Sequence, residues 1–349
     1  MDVKMSPMNT GTPSANTLHV GDCLKAMANW AADSVDLIFA DPPYNIGYTY
    51  DQYQDHREDE EYIQWTCDWI DACSRLLKPT GSMYILIGDE YAAETRLHLK
   101  KLERDGQLLF RNWIIWHYSF GQRCKVKFNR SHAHLFYCVG SAALTPVRRS
   151  RKSENRNREP LTYKPRNDIV KNPPFTFHYD AVALPSARMT TYNDRRQNPR
   201  GKLPDDTWYL RQFPDAAVWH TRPQEAHEDD GMFKPDDDTW CQSRLCGTFR
   251  ERTGHPCQLP EALLERIVKV SSNPGDLVFD PFAGSGTTLA VAKRLGRDYL
   301  GCEMSEQYAD QVRQRLEEVS CDAEGPTTPN ASPGLSRSDA DTADSTLFT

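Results

Sequence analysis

The sequence lacks the features that would place a protein in a membrane or outside the cell. No run of apolar residues approaches the roughly 20 that cross a bilayer as a helix. Residues 1–16 lack the apolar centre of a secretory signal. The ten cysteines form no Cys-x-x-Cys pair, which is typical of reduced thiols rather than a disulfide framework. These absences predict a soluble cytoplasmic protein without a membrane partner.

Recognised metal-binding spacings are also missing. Neither of the two groups of candidate ligands has the spacing of a zinc finger. The groups are Cys241, Cys246, His255 and Cys257, and His132 with His134. We therefore expect no metal.

Positive charge is scarce overall, since the formal net charge is −7. This value alone argues against a nucleic-acid partner, but the distribution of charge matters more than its sum. Residues 147–158 hold six basic side chains against one acid, whereas seven acids oppose one lysine in residues 225–238. The basic run consists of Arg148, Arg149, Arg151, Lys152, Arg156 and Arg158. We expect this run to contact phosphates, and a solvated basic loop is the alternative.

The sequence does contain an alternation of short apolar runs with segments of helical periodicity. This alternation predicts an α/β fold with a mainly parallel sheet. The predicted strands are residues 17–20, 36–40, 83–87, 113–118, 134–139, 277–280 and 299–302. The predicted helices are residues 23–30, 61–77, 91–104, 260–272, 287–295 and 305–319.

The alternation breaks at residues 140–254, which are rich in Arg, Pro, Asn and Asp without a sustained period. Because this stretch is too long for a plain loop, we predict an insertion that serves recognition. Residues 17–139 and 255–320 are then two halves of one α/β domain. Residues 1–16 and 321–349 are polar at both ends, and we expect them to be disordered.

The strand at 36–40 is the most informative because it ends abruptly at Asp-Pro-Pro-Tyr, residues 41–44. Each proline fixes φ and removes a backbone donor, so the chain leaves the strand stiffly with carbonyls able to accept hydrogen bonds. A carboxylate, a carbonyl and a flat ring on rigid backbone suit a planar substrate that carries an amino group. An ordinary turn with an N-capping aspartate is the alternative. Residues 45–59 show no clear period and predict a surface loop beside this corner.

A second motif, Phe-Asp-Pro-Phe-Ala-Gly-Ser-Gly-Thr-Thr at residues 279–288, joins a predicted strand to a helix. Its glycines let the backbone approach a ligand closely, and the helix N-terminus favours an anionic group such as a carboxylate. A P-loop is excluded because no Lys-Ser or Lys-Thr follows the glycines. Glu303 follows the next strand at the distance used for ribose hydroxyls in dinucleotide folds, although a helix-flanking acid would also occur there.

Together the two motifs resemble those of the amino-group DNA methyltransferases, which use S-adenosylmethionine to modify N6 of adenine or N4 of cytosine. Their order, with the catalytic motif first, is similar to that of the β class, whose sheet is circularly permuted. The resemblance covers residues 17–139 and 255–319. It implies a Rossmann-like methyltransferase fold with a mostly parallel seven-stranded sheet, and a target-recognition region at residues 140–254.

The resemblance also implies roles for single residues in catalysis. Asp41 and the carbonyl of Pro42 would accept hydrogen bonds from the target amino group. Tyr44 would stack on the flipped base, on a corner that Pro43 stiffens.

Further roles concern the cofactor, S-adenosylmethionine. The implied binding residues are Asp22, Asp280, Phe282, Ala283, Gly284, Ser285, Gly286, Thr287 and Glu303. The glycine motif would surround the methionine part, Glu303 would bind the ribose, and Asp22 would lie near the adenine. The family usually has lysine where this chain has Leu259.

Adenine N6 is the expected target because the corner begins with Asp, whereas N4-cytosine enzymes more often begin with Ser. N4 of cytosine is the alternative, and a non-catalytic DNA-binding protein of this fold is a more remote one. A cytosine C5 enzyme would need an attacking thiolate on the catalytic turn. Cys257 lies on the cofactor side instead, so we interpret it as a buried cysteine. Protein-glutamine and RNA methyltransferases would share the fold and a Pro-Pro-Tyr corner. They place the glycine motif before that corner, whereas this chain has it after, which argues against both classes.

The implied partner is double-stranded DNA, whose phosphates the arginine-rich run would contact. A cognate restriction endonuclease and a second copy of the chain are further partners that the resemblance allows. The expected location is the cytoplasm, in association with the nucleoid.

Overall fold

The computed structural model describes residues 11–48, 53, 55–117, 126, 130–147, 162–183, 198, 200–203, 207–209 and 258–321. The strands are β1 (Thr17–Val20), β2 (Val35–Ala40), β3 (Leu77–Ile87), β4 (Leu108–His117), β5 (His132–Gly140), β6 (Leu144–Pro146), β7 (Tyr163–Pro165), β8 (Thr207–Tyr209), β9 (Leu277–Asp280) and β10 (Asp298–Glu303). The α-helices are α1 (Cys23–Met27), α2 (Asp59–Leu76), α3 (Ala92–Arg104), α4 (Tyr179–Val182), α5 (Glu261–Ser271), α6 (Thr287–Arg294) and α7 (Glu306–Glu318).

Within these ranges, eight strands form one sheet in the order β1-β10-β9-β2-β3-β5-β4-β8. Neighbouring strands are parallel except at β5, which runs antiparallel to both β3 and β4. All seven predicted strands are present, so the predicted mostly parallel α/β sheet is confirmed. The additional strand, β8, comes from the insertion and was not predicted because three residues are too few to show a period.

Helices cover both faces of the sheet, and the side chains of β2 show why. Leu37 and Phe39 pack into a core with α5 and α6, whereas Ile38 and Ala40 pack into a core with α1, α2 and α3. Successive side chains of a strand point to opposite faces, so a strand buried on both sides reads as a continuous apolar run. This explains the uninterrupted apolar sequence ahead of the Asp-Pro-Pro-Tyr corner.

The start of β3 differs from the prediction. Residues 78–81, Lys-Pro-Thr-Gly, were expected to end a helix before a strand at 83, but β3 already begins at Leu77. The pairing shifts here, since Val35 pairs with Leu77 whereas Leu37 pairs with Ser82. The proline and glycine therefore form a bulge within the strand, as these residues often do.

Parts of the chain ends and of the insertion are also described. The Asn16 amide donates to the Tyr299 carbonyl and the Ala31 amide to the Gly11 carbonyl, so residues 11–16 of the stretch predicted to be disordered contact the domain. Residues 1–10 and 322–349 lie outside the described residues. In the insertion, β6 and β7 form a two-stranded antiparallel sheet. Among the described helices, none combines the length and the hydropathy that crossing a bilayer requires.

Two distant parts of the sequence meet at the centre of the sheet, where β2 pairs with β9. The Asp36 carboxylate accepts hydrogen bonds from Lys78 Nζ at 2.7 and 2.8 Å and from the Leu277 amide at 3.0 Å. Asp36 and Leu277 are 241 positions apart in the sequence. This carboxylate therefore links β2 to both neighbouring strands.

We expect Asp36→Ala to lower the free energy of unfolding by about 1–3 kcal/mol, because the Lys78 and Leu277 donors both lose their acceptor. Urea denaturation would measure the change. Asp298→Ala is a suitable control, since it removes a solvent-exposed hydrogen bond from Asn16. A loss no larger than that of the control would show that Asp36 does not stabilise the junction.

Candidate active site

The two sequence motifs leave the sheet side by side. Because β2 and β9 are parallel neighbours, the residues after Ala40 and those after Asp280 emerge at the same edge. The carboxyl ends of β1 and β10 lie along this edge too, since Val20 pairs with Glu303. Ligands of open α/β sheets bind at this edge. The fold thus brings together the predicted corner, the glycine turn, Asp22 and Glu303.

The corner is held by two tyrosine hydroxyls. Tyr44 donates to Asp41 Oδ1 at 2.8 Å, and Tyr62 on α2 donates to the Pro43 carbonyl at 2.6 Å. Burial raises the pKa of Tyr62 well above its usual value, so this hydroxyl remains a donor. Pro42 is buried. The sequence motif alone gave no sign that Tyr44 bonds to Asp41.

The Tyr44 ring lies against Gly88, which follows β3. A Cβ added to Gly88 would lie 3.3 Å from Tyr44 Cδ2, so the glycine leaves room for the ring. Tyr44 is therefore placed by a hydrogen bond at one end and by close packing along its ring.

The glycine turn has a conformation that requires glycine. Gly284 and Gly286 have φ values of 51° and 72°, in the left-handed region. A Cβ on Gly286 would also lie 2.7 Å from Val312 Cγ1 of α7. The turn leads directly into α6, and the N-terminus of a helix favours an anionic group such as a carboxylate.

Two acids flank the turn, and both are largely buried. Asp280 Oδ1 accepts from the Phe282 amide at 2.9 Å, and burial raises the pKa of Asp280 to about 7. Glu303 accepts from the Gly284 amide at 2.8 Å and from the Ser305 amide at 2.9 Å, and burial raises its pKa as well. A positively charged ligand at this edge would favour the ionised form of both acids.

Asp22 lies beyond Glu303 along the edge. Its Oδ1 accepts from the Leu24 amide at 2.9 Å and caps α1. The Gly21 amide donates to the Glu303 carbonyl at 2.7 Å, which holds the two strand ends together. Both acids thus also support local structure. Glu303 acts in part as the helix-flanking acid of the alternative interpretation, because its carboxylate accepts from the Ser305 amide ahead of α7.

Phe282 forms an aromatic wall with α2. Its ring centroid lies 5.3 Å from that of Trp69 and 5.6 Å from that of Trp65. These contacts join the glycine turn to the helix that also carries Tyr62. The wall connects the cofactor side of the edge to the corner side.

Arg315 braces the glycine turn from α7, and the sequence gave no indication of this role. It donates to the Ser285 carbonyl at 3.0 Å, to Thr287 Oγ1 at 3.1 Å and to Glu261 at 2.7 Å. Leu259, where the family usually has lysine, approaches Thr287 Oγ1 through its own carbonyl at 3.4 Å. Its side chain packs against the core.

Several predicted residues cannot be placed. The basic run from Arg148 to Arg158 lies outside the described residues, as does Cys257. In the part of the chain that the structure describes, no three His, Cys, Asp or Glu side chains form a group that could hold a metal ion.

Comparison with known proteins assigns the family. A family model described as DNA methylase, for enzymes that act at N6 or N4, matches residues 35–314. The chain belongs to this family. It is an S-adenosylmethionine-dependent DNA methyltransferase that modifies the exocyclic amino group of adenine or cytosine.

Individual relatives cover most of the chain. The DNA adenine methyltransferase YhdJ of Escherichia coli (strain K12) is 31% identical over 322 residues, which span 90% of this chain and 86% of that protein. The type II methyltransferase M.HpaI of Haemophilus parainfluenzae is 29% identical, over 85% of this chain and 72% of its own length. The PvuII DNA methyltransferase (cytosine-N4-specific) is 16% identical with a TM-score of 0.52, over 87% of each chain, and it supports the fold alone.

The residues at the edge fit the cofactor of this DNA methyltransferase. S-adenosylmethionine carries a sulfonium, an ammonium and a carboxylate. A positive group of the cofactor would favour the ionised form of Asp280, the Glu303 carboxylate can accept hydrogen bonds from ribose hydroxyls, and the N-terminus of α6 suits the carboxylate.

The pKa of Asp280 predicts a pH dependence of stability. In the folded chain this pKa is about 7, above the ordinary 3.8, so the folded state keeps a proton that the unfolded state has released between these values. The contribution is complete below about pH 4 and is lost as the pH rises through about 7. Between about pH 5 and pH 8 the wild type should lose about 3 kcal/mol more unfolding free energy than Asp280→Asn.

Urea denaturation across this pH range would measure the difference. Saturating S-adenosylmethionine should reduce it, because a positive group near Asp280 favours the ionised carboxylate. An identical pH dependence in wild type and variant would contradict the assignment.

Proposed function

We propose that this enzyme methylates N6 of adenine in double-stranded DNA. The observation that carries the proposal is the Asp-Pro-Pro-Tyr corner standing beside the glycine turn at one edge of the sheet. Adenine is favoured because the corner begins with Asp41, and YhdJ, at 31% identity, is named as a DNA adenine methyltransferase. N4 of cytosine is the alternative target.

Asp41 and the Pro42 carbonyl are the groups that activate the target. An exocyclic amine is a poor nucleophile because its lone pair is delocalised into the ring. Acceptors around its hydrogens draw the nitrogen toward a tetrahedral geometry and localise that lone pair. The hydrogen bond from Tyr44 orients the Asp41 carboxylate for this task. Positioning and preorganised polar groups then supply much of the rate.

The base must leave the duplex to reach the corner. Flipping costs a few kcal/mol, which the pocket recovers by hydrogen bonding and stacking. Stacking on an aromatic ring contributes about 1–3 kcal/mol per base, and Tyr44 is the proposed ring. Residues 140–254 serve target recognition, and the basic run beginning at Arg148 follows the phosphates.

The cofactor would lie on the glycine turn, beside the Asp-Pro-Pro-Tyr corner. The methionine part is assigned to Asp280, Phe282, Ala283, Gly284, Ser285, Gly286 and Thr287. The ribose is assigned to Glu303 and the adenine to the neighbourhood of Asp22. S-adenosylmethionine supplies an activated methyl group for in-line displacement.

The names of two relatives favour a role in restriction and modification. M.HpaI and M.BglII are both named as type II methyltransferases. We therefore place this chain in a restriction–modification system with a cognate endonuclease. A homodimer and a cytoplasmic, nucleoid-associated location belong to the same proposal.

Asp41→Ala tests the proposed chemistry. We expect methyl transfer to DNA to fall roughly 100-fold or more, while the affinity for S-adenosylmethionine stays within about twofold. Asp33→Asn, at the opposite end of β2, is the control and should remain active. Mass spectrometry of nucleosides from the methylated DNA should detect N6-methyladenine.

The two parts of the proposal fail separately. Full activity in Asp41→Ala would rule out the proposed role of the carboxylate. N4-methylcytosine in the product would leave that role intact and replace adenine by cytosine as the target.

A further inference from the structure

A buried acid, Asp55, forms hydrogen bonds with the segment that follows the corner. We propose that Asp55, together with Asn45, is a positioning residue that holds the Asp41–Tyr44 corner in its reactive geometry. The inference rests on the proposed catalytic role of Asp41. Neither residue is part of the sequence motifs.

Asp55 accepts hydrogen bonds from the backbone that follows the corner. Its Oδ1 accepts from the Asn45 amide at 2.7 Å, and its Oδ2 accepts from the Ile46 and Tyr48 amides at 3.1 and 3.0 Å. Its own carbonyl accepts from the Gly47 amide at 2.7 Å. The four residues after Tyr44 are thus all bound to one residue.

Burial makes this arrangement costly to lose. Asp55 is only 2% exposed, and a buried carboxylate is tolerated only where hydrogen bonds replace its water. A segment that merely connected β2 to α2 would need no such group. The three amides therefore fix both the acid and the path of the chain away from Tyr44.

Asn45 provides a second attachment, directly after the motif. Its φ of 56° lies in the left-handed region, which asparagine tolerates better than most residues. Its side chain donates to the Arg57 carbonyl at 2.9 Å and accepts from the Arg57 amide at 2.6 Å. It also donates to the Tyr91 hydroxyl at 2.8 Å. The turn beside Tyr44 is thereby tied to the chain ahead of α2.

The same network reaches the cofactor side. The Arg57 guanidinium lies 4.8 Å from the Trp65 ring centroid, and the Trp65 ring contacts Phe282. Tyr62, whose hydroxyl donates to the Pro43 carbonyl, belongs to the same aromatic cluster, and its ring centroid lies 5.6 Å from that of Trp65. The network thus contacts both the Asp-Pro-Pro-Tyr corner and the glycine turn. A displacement of about 1 Å can reduce a rate about 100-fold. Contacts that hold the corner in place therefore affect the rate of methyl transfer.

Asp55→Asn is the first test, because an amide side chain has one oxygen acceptor instead of two. We expect the single-turnover rate of methyl transfer at saturating DNA and cofactor to fall roughly 10- to 100-fold. The dissociation constant for S-adenosylmethionine should stay within about twofold. A loss of rate without loss of cofactor binding separates positioning from general unfolding.

Asn45→Gly is the second test, and it remains informative if Asp55→Asn does not fold. Glycine adopts positive φ without strain, so the change removes the side-chain hydrogen bonds without straining the backbone. Asn16→Gly is its matched control, since Asn16 also has a positive φ of 58° and binds Asp298, but at the opposite edge of the sheet. Asn45→Gly should slow methyl transfer at least about tenfold, whereas Asn16→Gly should not.

The outcomes decide the inference. It is supported if Asp55→Asn and Asn45→Gly lose rate but bind cofactor, and Asn16→Gly keeps its rate. It is overturned if either folded variant retains a rate within about twofold of wild type, or loses rate and cofactor binding together. If Asp55→Asn does not fold, Asn45→Gly alone decides. Full activity in Asp41→Ala would contradict the proposed catalytic role instead, so the two failures are distinguishable.

Discussion

The parallel pairing of β2 with β9 is the contact on which the site depends. Each strand ends in a motif that has little meaning alone, one a stiff proline corner and the other a glycine turn. Leu37 pairs with Val278 and Ile38 with Phe279, so both strands end at the same level of the sheet. The positions of the strands in the sheet, and not their order in the sequence, decide which loops meet.

Backbone amides satisfy the acids around this junction. Asp36 accepts from Leu277, Asp280 from Phe282, and Glu303 from Gly284 and Ser305. Each bond ties an acid to a strand end or to the turn that follows it. The acids at the edge are therefore structural supports as well as candidate ligands. Their raised pKa values follow from the same burial, and a cationic cofactor at this edge would favour their ionised forms.

The sequence predicted the sheet well because buried strands between amphipathic helices leave a clear period. It also predicted which motifs would meet, since their order matches a known permuted family. It did not reveal Asp55, which is one acid among several ahead of α2, nor Arg315, which is one charged residue among many on α7. Their roles arise from contacts across the fold, such as the 30 positions between Arg315 and Ser285. The bulge in β3 was hidden because Pro and Gly also end helices.

A crystal structure with S-adenosylhomocysteine, the product of methyl transfer, would test the central claim most directly. We predict that its amino-acid part lies on the glycine turn between Asp280 and Thr287, with the sulfur facing the Asp41 and Pro42 side of the edge. This arrangement would show that one site serves both motifs. A sulfur atom directed away from the corner, or a product bound elsewhere, would contradict the account.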